Sequence, residues 1–304
     1  MIWQVSHRTT YAYDDVVNDS LGIAYVTPRQ LPWQSVHEHA LTLTPAPLDG
    51  STDLDFYGNT ATYFQVTEPH DTLEILATST VDVGVALLDP VAMDTPWELA
   101  RPGHRHDLPD AWRAVDFALP SALADQTDIA RAYAARSLTP GRPIGEAALD
   151  LMHRIHADFT YEQGATTVTS TIDDVFAKAA GVCQDFAHLT LACLRSHGLA
   201  VRYVSGYLAT EPAPGHPRVV GADASHAWAA VWLPSSEPGG SWLALDPTND
   251  QVTTERYVTV AWGRDYGDVP PVKGVIFTDA KKSTLTVEVD VAPAPRTVPP
   301  TPPR

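Results

Sequence analysis

The sequence predicts an α+β fold, with a small β-sandwich-like unit over residues 1–85 ahead of a mixed helix-and-strand domain over residues 141–292. Three observations predict it. The first 85 residues hold short runs rich in Val, Thr, Tyr and Leu, separated by turn-formers. From Pro143 the apolar period switches to three and four. After that, helical patterns give way to consecutive strand-like runs without βαβ alternation. A length of 304 residues agrees with about two domains.

In order along the chain, strands are expected at Trp3–Tyr13, Ser35–Pro45, Thr60–Glu68 and Thr72–Val83. Asp49-Gly50-Ser51 and Tyr57-Gly58-Asn59 read as turns between them. In the last of these strands Leu73, Ile75 and Ala77 share one face, as a half-buried strand requires. Residues 86–140 are irregular and proline-dense and read as the connection, with short helices near Pro109–Phe117 and Ser121–Ala135. A helix is expected over Pro143–Asp158 from Ala148, Leu151, Met152, Ile155 and Phe159. Thr171 ahead of Asp173 and Asp174 is a capped helix start, and a further helix runs from about Val182 to His197 with Gly198 to end it. Three strands follow, at Val201–Leu208, Ser225–Leu233 and Ser241–Leu245. Residues 293–304 form a proline-rich stretch read as a flexible tail.

Composition excludes several classes. Forty-four per cent apolar residues suffice for a core, while 20 basic against 37 acidic residues leave a net charge of −17. That balance repels phosphate backbones and anionic headgroups, so neither nucleic acid nor a membrane is expected as a partner. No signal-peptide pattern and no run of about 18 apolar residues is visible, and a cytoplasmic protein is expected. Two cysteines, Cys183 and Cys193, make neither a disulfide framework nor a four-ligand zinc site.

Within AAGVCQDFAHLTLACLRSHG, Cys183 falls in the first turn of a helix, where converging amides and the helix dipole favour a thiolate. Gly181 just before it permits close backbone approach. Cys193 lies ten residues on, roughly 15 Å along the axis, too far to pair with Cys183, and its apolar neighbours make it a core residue. A free cysteine is ordinarily a small buried hydrophobe, so Cys183 needs a base and a group that orients the base. His226 alternates with Trp228, Ala230 and Trp232 along one strand, and Asp246 ends the next. Either residue alone reads as structural. Their order after a helix-start cysteine points to a Cys/His/Asp triad as the expectation.

The stretches GVCQDFAHLTLACLRSHGLAVRYVSGYL, ASHAWAAVWLP, WLALDPTND and VAWGRDYGDVPPVKGV resemble the bacterial transglutaminase-like, papain-related cysteine enzyme family. YAYDDVVNDSLGIAYVTPRQ and DFYGNTATYFQVTEPH resemble the small β domain that commonly precedes it. The resemblance implies that residues 141–292 are a transglutaminase-like, papain-like catalytic domain in which a nucleophile helix packs on an antiparallel sheet. It implies Cys183 as nucleophile, His226 as base and Asp246 as its orienting partner. Tyr161 matches an upstream aromatic and is a candidate oxyanion donor beside the Cys183 N–H. Gln184 and Asp185 follow the nucleophile in the motif, Asp185 in a structural role against nearby loop amides. The implied chemistry is acyl transfer on a peptide or protein substrate with no cofactor and no metal. Hydrolysis of peptide, isopeptide or amide bonds is the favoured outcome, transamidation the alternative, and a non-catalytic binding module a third reading.

Histidine pairs raise metal chemistry, and their spacing argues against it. His37/His39 and His104/His106 each offer two ligands at strand spacing without a third, and His153/His156 lack the glutamate of HExxH. GRDYGDVPPVKG has glycines but no phosphate-cradling GxxxxGK[ST].

Overall fold

A computed structural model describes residues 1–108, 110–210, 225–236 and 240–294. The first part of the chain forms β1 (Ile2–Ala24), β2 (Gln34–Thr44), β3 (Asp49–Leu54), β4 (Thr60–Val66) and β5 (His70–Val83). The connection carries α1 (Pro90–Met93), α2 (Trp112–Val115) and α3 (Asp128–Ala135). Then come α4 (Ile144–Asp158), β6 (Thr160–Tyr161), α5 (Ile172–Lys178), β7 (Ala180–Gly181) and α6 (Cys183–Arg195). Strands β8 (Val201–Leu208), β9 (Ser225–Leu233), β10 (Ser241–Asp246), β11 (Gln251–Val252), β12 (Tyr257–Gly263), β13 (Val272–Thr278) and β14 (Ser283–Pro293) complete it.

The long strand β1 organises the N-terminal sheet. Its first half pairs with β5 on one side and β14 on the other, and its second half with β4 and β13. The register slips between Ala12 and Val17, where the strand passes from one set of partners to the next. Both halves contribute to one core: Phe64 and Val66 from β4 meet Leu73, Ile75 and Ala77 from β5. This is the sandwich-like unit expected from the first 85 residues, closed by two strands from the other end of the chain. Residues 272–292, grouped by sequence with the mixed domain, hydrogen-bond to β1 instead. Pro293, taken as the start of the tail, still pairs with Trp3.

Two local expectations need correction. Asp49-Gly50-Ser51 is not a turn but the start of β3, paired with β4. A Cβ on Gly50 would sit 2.8 Å from the Tyr63 carbonyl, so the glycine serves close strand approach. The helix expected from Ser121 begins only at Asp128, because Thr127 caps it by accepting from the Ala130 N–H. Pro109 and residues 295–304 lie outside the described residues.

In the second part, an antiparallel sheet in the order β11-β10-β9-β8-β12 carries α6 on one face. Every side chain of α6 from Asp185 to Arg195 is buried, with α3, α4 and α5 packed around it. Leu189, Leu191 and Leu194 are fully buried, each contributing about 1.5–3 kcal/mol of transfer free energy. A helix enclosed this way cannot shift along its axis without opening the core, which fixes its first residue in space.

The two parts are joined by polar contacts in a buried seam. Gln34 accepts from the Thr259 N–H at 2.8 Å and donates to the Thr259 carbonyl at 2.7 Å. Asn59 does the same with Trp262, at 2.9 and 2.8 Å. Both amides thus act as one rung of a missing strand along edge strand β12, satisfying backbone groups that burial would otherwise leave unpaired. The Trp3 indole donates to the Glu255 carbonyl at 2.7 Å, and His7 Nδ1 is hydrogen-bonded to the Tyr207 hydroxyl at 2.9 Å.

Candidate active site

Cys183 is the first residue of α6, partly exposed, at the positive end of the helix dipole. Val182 has no side-chain acceptor for the helix amides, so only the return half of a capping box forms: Asp185 Oδ2 accepts from the Val182 N–H at 2.8 Å. The same oxygen accepts from Thr166 Oγ1, which ties the preceding loop to the helix start. A Cβ on Gly181 would lie 2.8 Å from that carboxylate, so only glycine lets Asp185 fold back. Parallel pairing of β6 with β7 sets Tyr161 beside Gly181. The turn into Cys183 is therefore held from three directions.

His226 opens β9, and Asp246 closes β10 alongside it. His226 Nε2 lies 2.7 Å from Asp246 Oδ2, and the ring also hydrogen-bonds Cys183. With Nε2 taken by the carboxylate, Nδ1 is the nitrogen left for sulfur. The histidine side chain is 11% exposed and the aspartate 0%. Burial opposes a charge on His226, but the hydrogen bonds to Asp246 and Cys183 and their negative charges outweigh it, raising the pKa to about 10.

Asp246 would suffer still more from burial. Burial pushes its carboxyl up, yet its donors bring it below the ordinary range. Oδ1 accepts from the Thr248 and Asn249 N–H groups at 2.9 and 3.3 Å. Oδ2 accepts from Asn249 Nδ2 at 2.7 Å, from the Tyr257 hydroxyl at 2.6 Å and from His226. Tyr257 is itself held by Gln251. The turn supplying the two amides leans on α4, where His156 Nδ1 lies 3.1 Å from the Thr248 carbonyl and His153 bonds Asp250.

Cys183, Gln184 and His226 line a cavity of about 190 Å³, together with Tyr203, Ser205, Ser225 and Tyr266. Residues of β1 and β14 line its other side. Tyr161 is half exposed and outside the lining, while Asp185 is buried beneath the helix start. Sequence reading missed Tyr257 and Asn249, the two side chains that share the buried carboxylate oxygen with His226. It also missed His188, whose Nε2 accepts from the Tyr266 N–H at 3.1 Å and whose pKa burial lowers to about 4. Nothing in the helix spacing marks His188, which lies five residues from Cys183 on a different face of α6. His39, one of the candidate metal ligands, is instead within hydrogen-bond distance of Thr27 and Ser79.

Residues 3–82 match the bacterial transglutaminase-like N-terminal region and residues 129–247 the transglutaminase-like superfamily. An uncharacterized protein of Mycobacterium tuberculosis is 49% identical over 296 residues, covering 96% of this chain and 92% of its own. One from Mycobacterium leprae is 33% identical, covering 95% and 97%. Among solved structures, a chain from Cytophaga hutchinsonii described as a candidate cysteine protease superposes with a TM-score of 0.69 at 21% identity, covering 95% of this chain and 90% of that one. With a relative this similar along nearly its whole length and both segments matched, the chain belongs to the transglutaminase-like superfamily, in the form that carries the bacterial transglutaminase-like N-terminal region.

Proposed function

We propose that the protein is an acyl-transfer enzyme that hydrolyses peptide, isopeptide or amide bonds through a thioester on Cys183. The observation that carries this reading is the His226 imidazole, clamped at 2.7 Å by a fully buried carboxylate and lining the same cavity as Cys183. An imidazolium in that position stabilises a thiolate, the reactive form. The thiolate attacks the carbonyl carbon, and the resulting oxyanion is met by the Cys183 N–H, one of the amides a helix start leaves unpaired. Gln184, in the cavity lining, is the second donor offered. His226 then gives its proton to the departing amine and the C–N bond breaks, leaving a thioester. Water attacks the thioester while His226 takes a proton from it, and the carboxylic acid leaves with the thiol restored. Asp246 stays ionised throughout and stabilises the imidazolium.

Ser205, Ser225 and Tyr266 in the lining offer hydroxyls that can hydrogen-bond a water acceptor, which supports hydrolysis. The test is mass spectrometry of peptide pools incubated with the protein, with and without a primary amine. Peptides cleaved with uptake of one water between the two fragments, or deamidated with ammonia exchanged for water, are expected. Amine incorporation would replace hydrolysis by transamidation, and unchanged pools would overturn the enzymatic reading in favour of a binding module.

A further inference from the structure

The cavity holding Cys183 and His226 has two walls of different origin. One is built by α6, β8, β9 and Tyr266, and the other by the N-terminal sheet. In the β1–β14 pair Val5 faces Val291, His7 faces Val289, Thr9 faces Val287 and Tyr11 faces Leu285. Residues alternate along a strand, so all eight lie on one side of the sheet. At the first two levels this side is sealed against the second part of the chain, with Val291 and Val289 each 1% exposed. At the next two levels the same side reaches the cavity and loses its cover: Val287 is 46% exposed and Leu285 55%. An apolar strip continuous with the interdomain core therefore emerges beside the thiol.

The chemistry of the lining selects what can cover that strip. Among the described residues that line the cavity there is no Lys, Arg, Asp or Glu, although the chain as a whole carries a net charge of −17. Beyond His226, whose charge is already met by Asp246, a charged side chain entering here would find no partner to offset the water it loses. An apolar one would bury its own surface and that of Leu285 and Val287 together.

We infer that the β1–β14 face is the subsite for an apolar side chain of a peptide acyl donor, with Tyr11, Leu285 and Val287 as the residues that select it. The inference rests on the acyl-transfer reading above and gives the N-terminal sheet a role in choosing substrate. Side-chain selection by an apolar wall of this kind is worth about tenfold or more.

Irreversible probes separate the two readings. Blocked dipeptide chloromethyl ketones, with Gly, Leu, Phe, Glu or Lys at either position, are compared with iodoacetamide, which has no side chain to place. Alkylation of Cys183 is followed by mass spectrometry. At one of the two positions the Leu and Phe probes are expected to react about tenfold faster than Gly, Glu or Lys. Relative to iodoacetamide labelling of the same variant, that preference should collapse in Leu285→Asn/Val287→Thr and survive in Leu285→Met. Both positions are half exposed on a sheet edge, so polar replacement leaves the fold intact. Fast iodoacetamide labelling with a flat side-chain preference would overturn the subsite alone, as would a preference undiminished in the double variant. Iodoacetamide labelling of Cys183 no faster than that of a simple thiol would overturn the acyl-transfer reading and this inference with it.

Discussion

The Tyr257 hydroxyl donates to Asp246 Oδ2 at 2.6 Å, the same oxygen that lies 2.7 Å from His226 Nε2. A buried carboxylate with this many donors stays ionised and does not turn. Removing the tyrosine hydroxyl takes away one of the hydrogen bonds that lower the Asp246 carboxyl. In Tyr257→Phe the acid limb of the pH profile for Cys183 alkylation should therefore move to higher pH. The rate at neutral pH should fall about tenfold, the scale of one hydrogen bond to a charged group. An unmoved acid limb would show that the hydroxyl only packs.

The two cysteines are expected to behave differently. Cys183→Ala and His226→Ala should abolish turnover and Asp246→Asn should reduce it, since the amide cannot stabilise an imidazolium. Cys193 is fully buried, and burial pushes its thiol well above the ordinary range. Alkylation of the folded protein should mark Cys183 and spare Cys193, while Cys193→Ala should cost roughly 1 kcal/mol or somewhat more in urea unfolding, with activity retained.

Gly206 on β8 stands opposite His226 on β9 in the antiparallel register. A Cβ there would lie 2.1 Å from the Val258 carbonyl and 2.5 Å from the Trp228 ring. Either β12 or the tryptophan behind the histidine must move. Gly206→Ala is expected to destabilise by about 1–3 kcal/mol and to lower the Cys183 alkylation rate. Wild-type melting and reactivity would contradict the tight fit.

Two histidines set opposite pH windows. Burial lowers His7 to about 4, so between pH 6.5 and 4 the unfolded chain takes up a proton that the folded one refuses, and stability falls with pH. His7→Gln should lessen the fall in melting temperature across that window, where the native histidine costs up to about 3 kcal/mol at the acid end and His188, also lowered to about 4, accounts for a further part. His226 is raised to about 10, so its contribution is complete below about pH 6.5 and fades as pH climbs towards 10. The stability gap between wild type and His226→Ala should shrink over that range.

Much of the site was legible because its chemistry is local in sequence. A cysteine after a glycine at a helix start, an alternating strand with His226 and a strand ending in Asp246 are patterns within a few residues. Asp185 was legible for the same reason, three residues from the amide it accepts. Tyr257 was not, because its acceptor lies across the tight β10–β11 turn and nothing in YVTVAWG marks a hydroxyl aimed backwards. The pairing of β14 with β1 was out of reach for a different reason. Thr284, Thr286, Val287 and Val289 announce a strand, but the partner of Thr284 is Ala12, at the opposite end of the chain. Periodicity names a face and not the strand beside it.

Translation order gives that long-range pairing a further meaning. Cys183, His226 and Asp246 all leave the ribosome before Leu285 and Val287, the side chains that finish the groove. A growing chain thus carries Cys183, His226 and Asp246 for some time without the β14 side of the groove. Only when β14 docks against β1 does the groove beside the thiol gain that side.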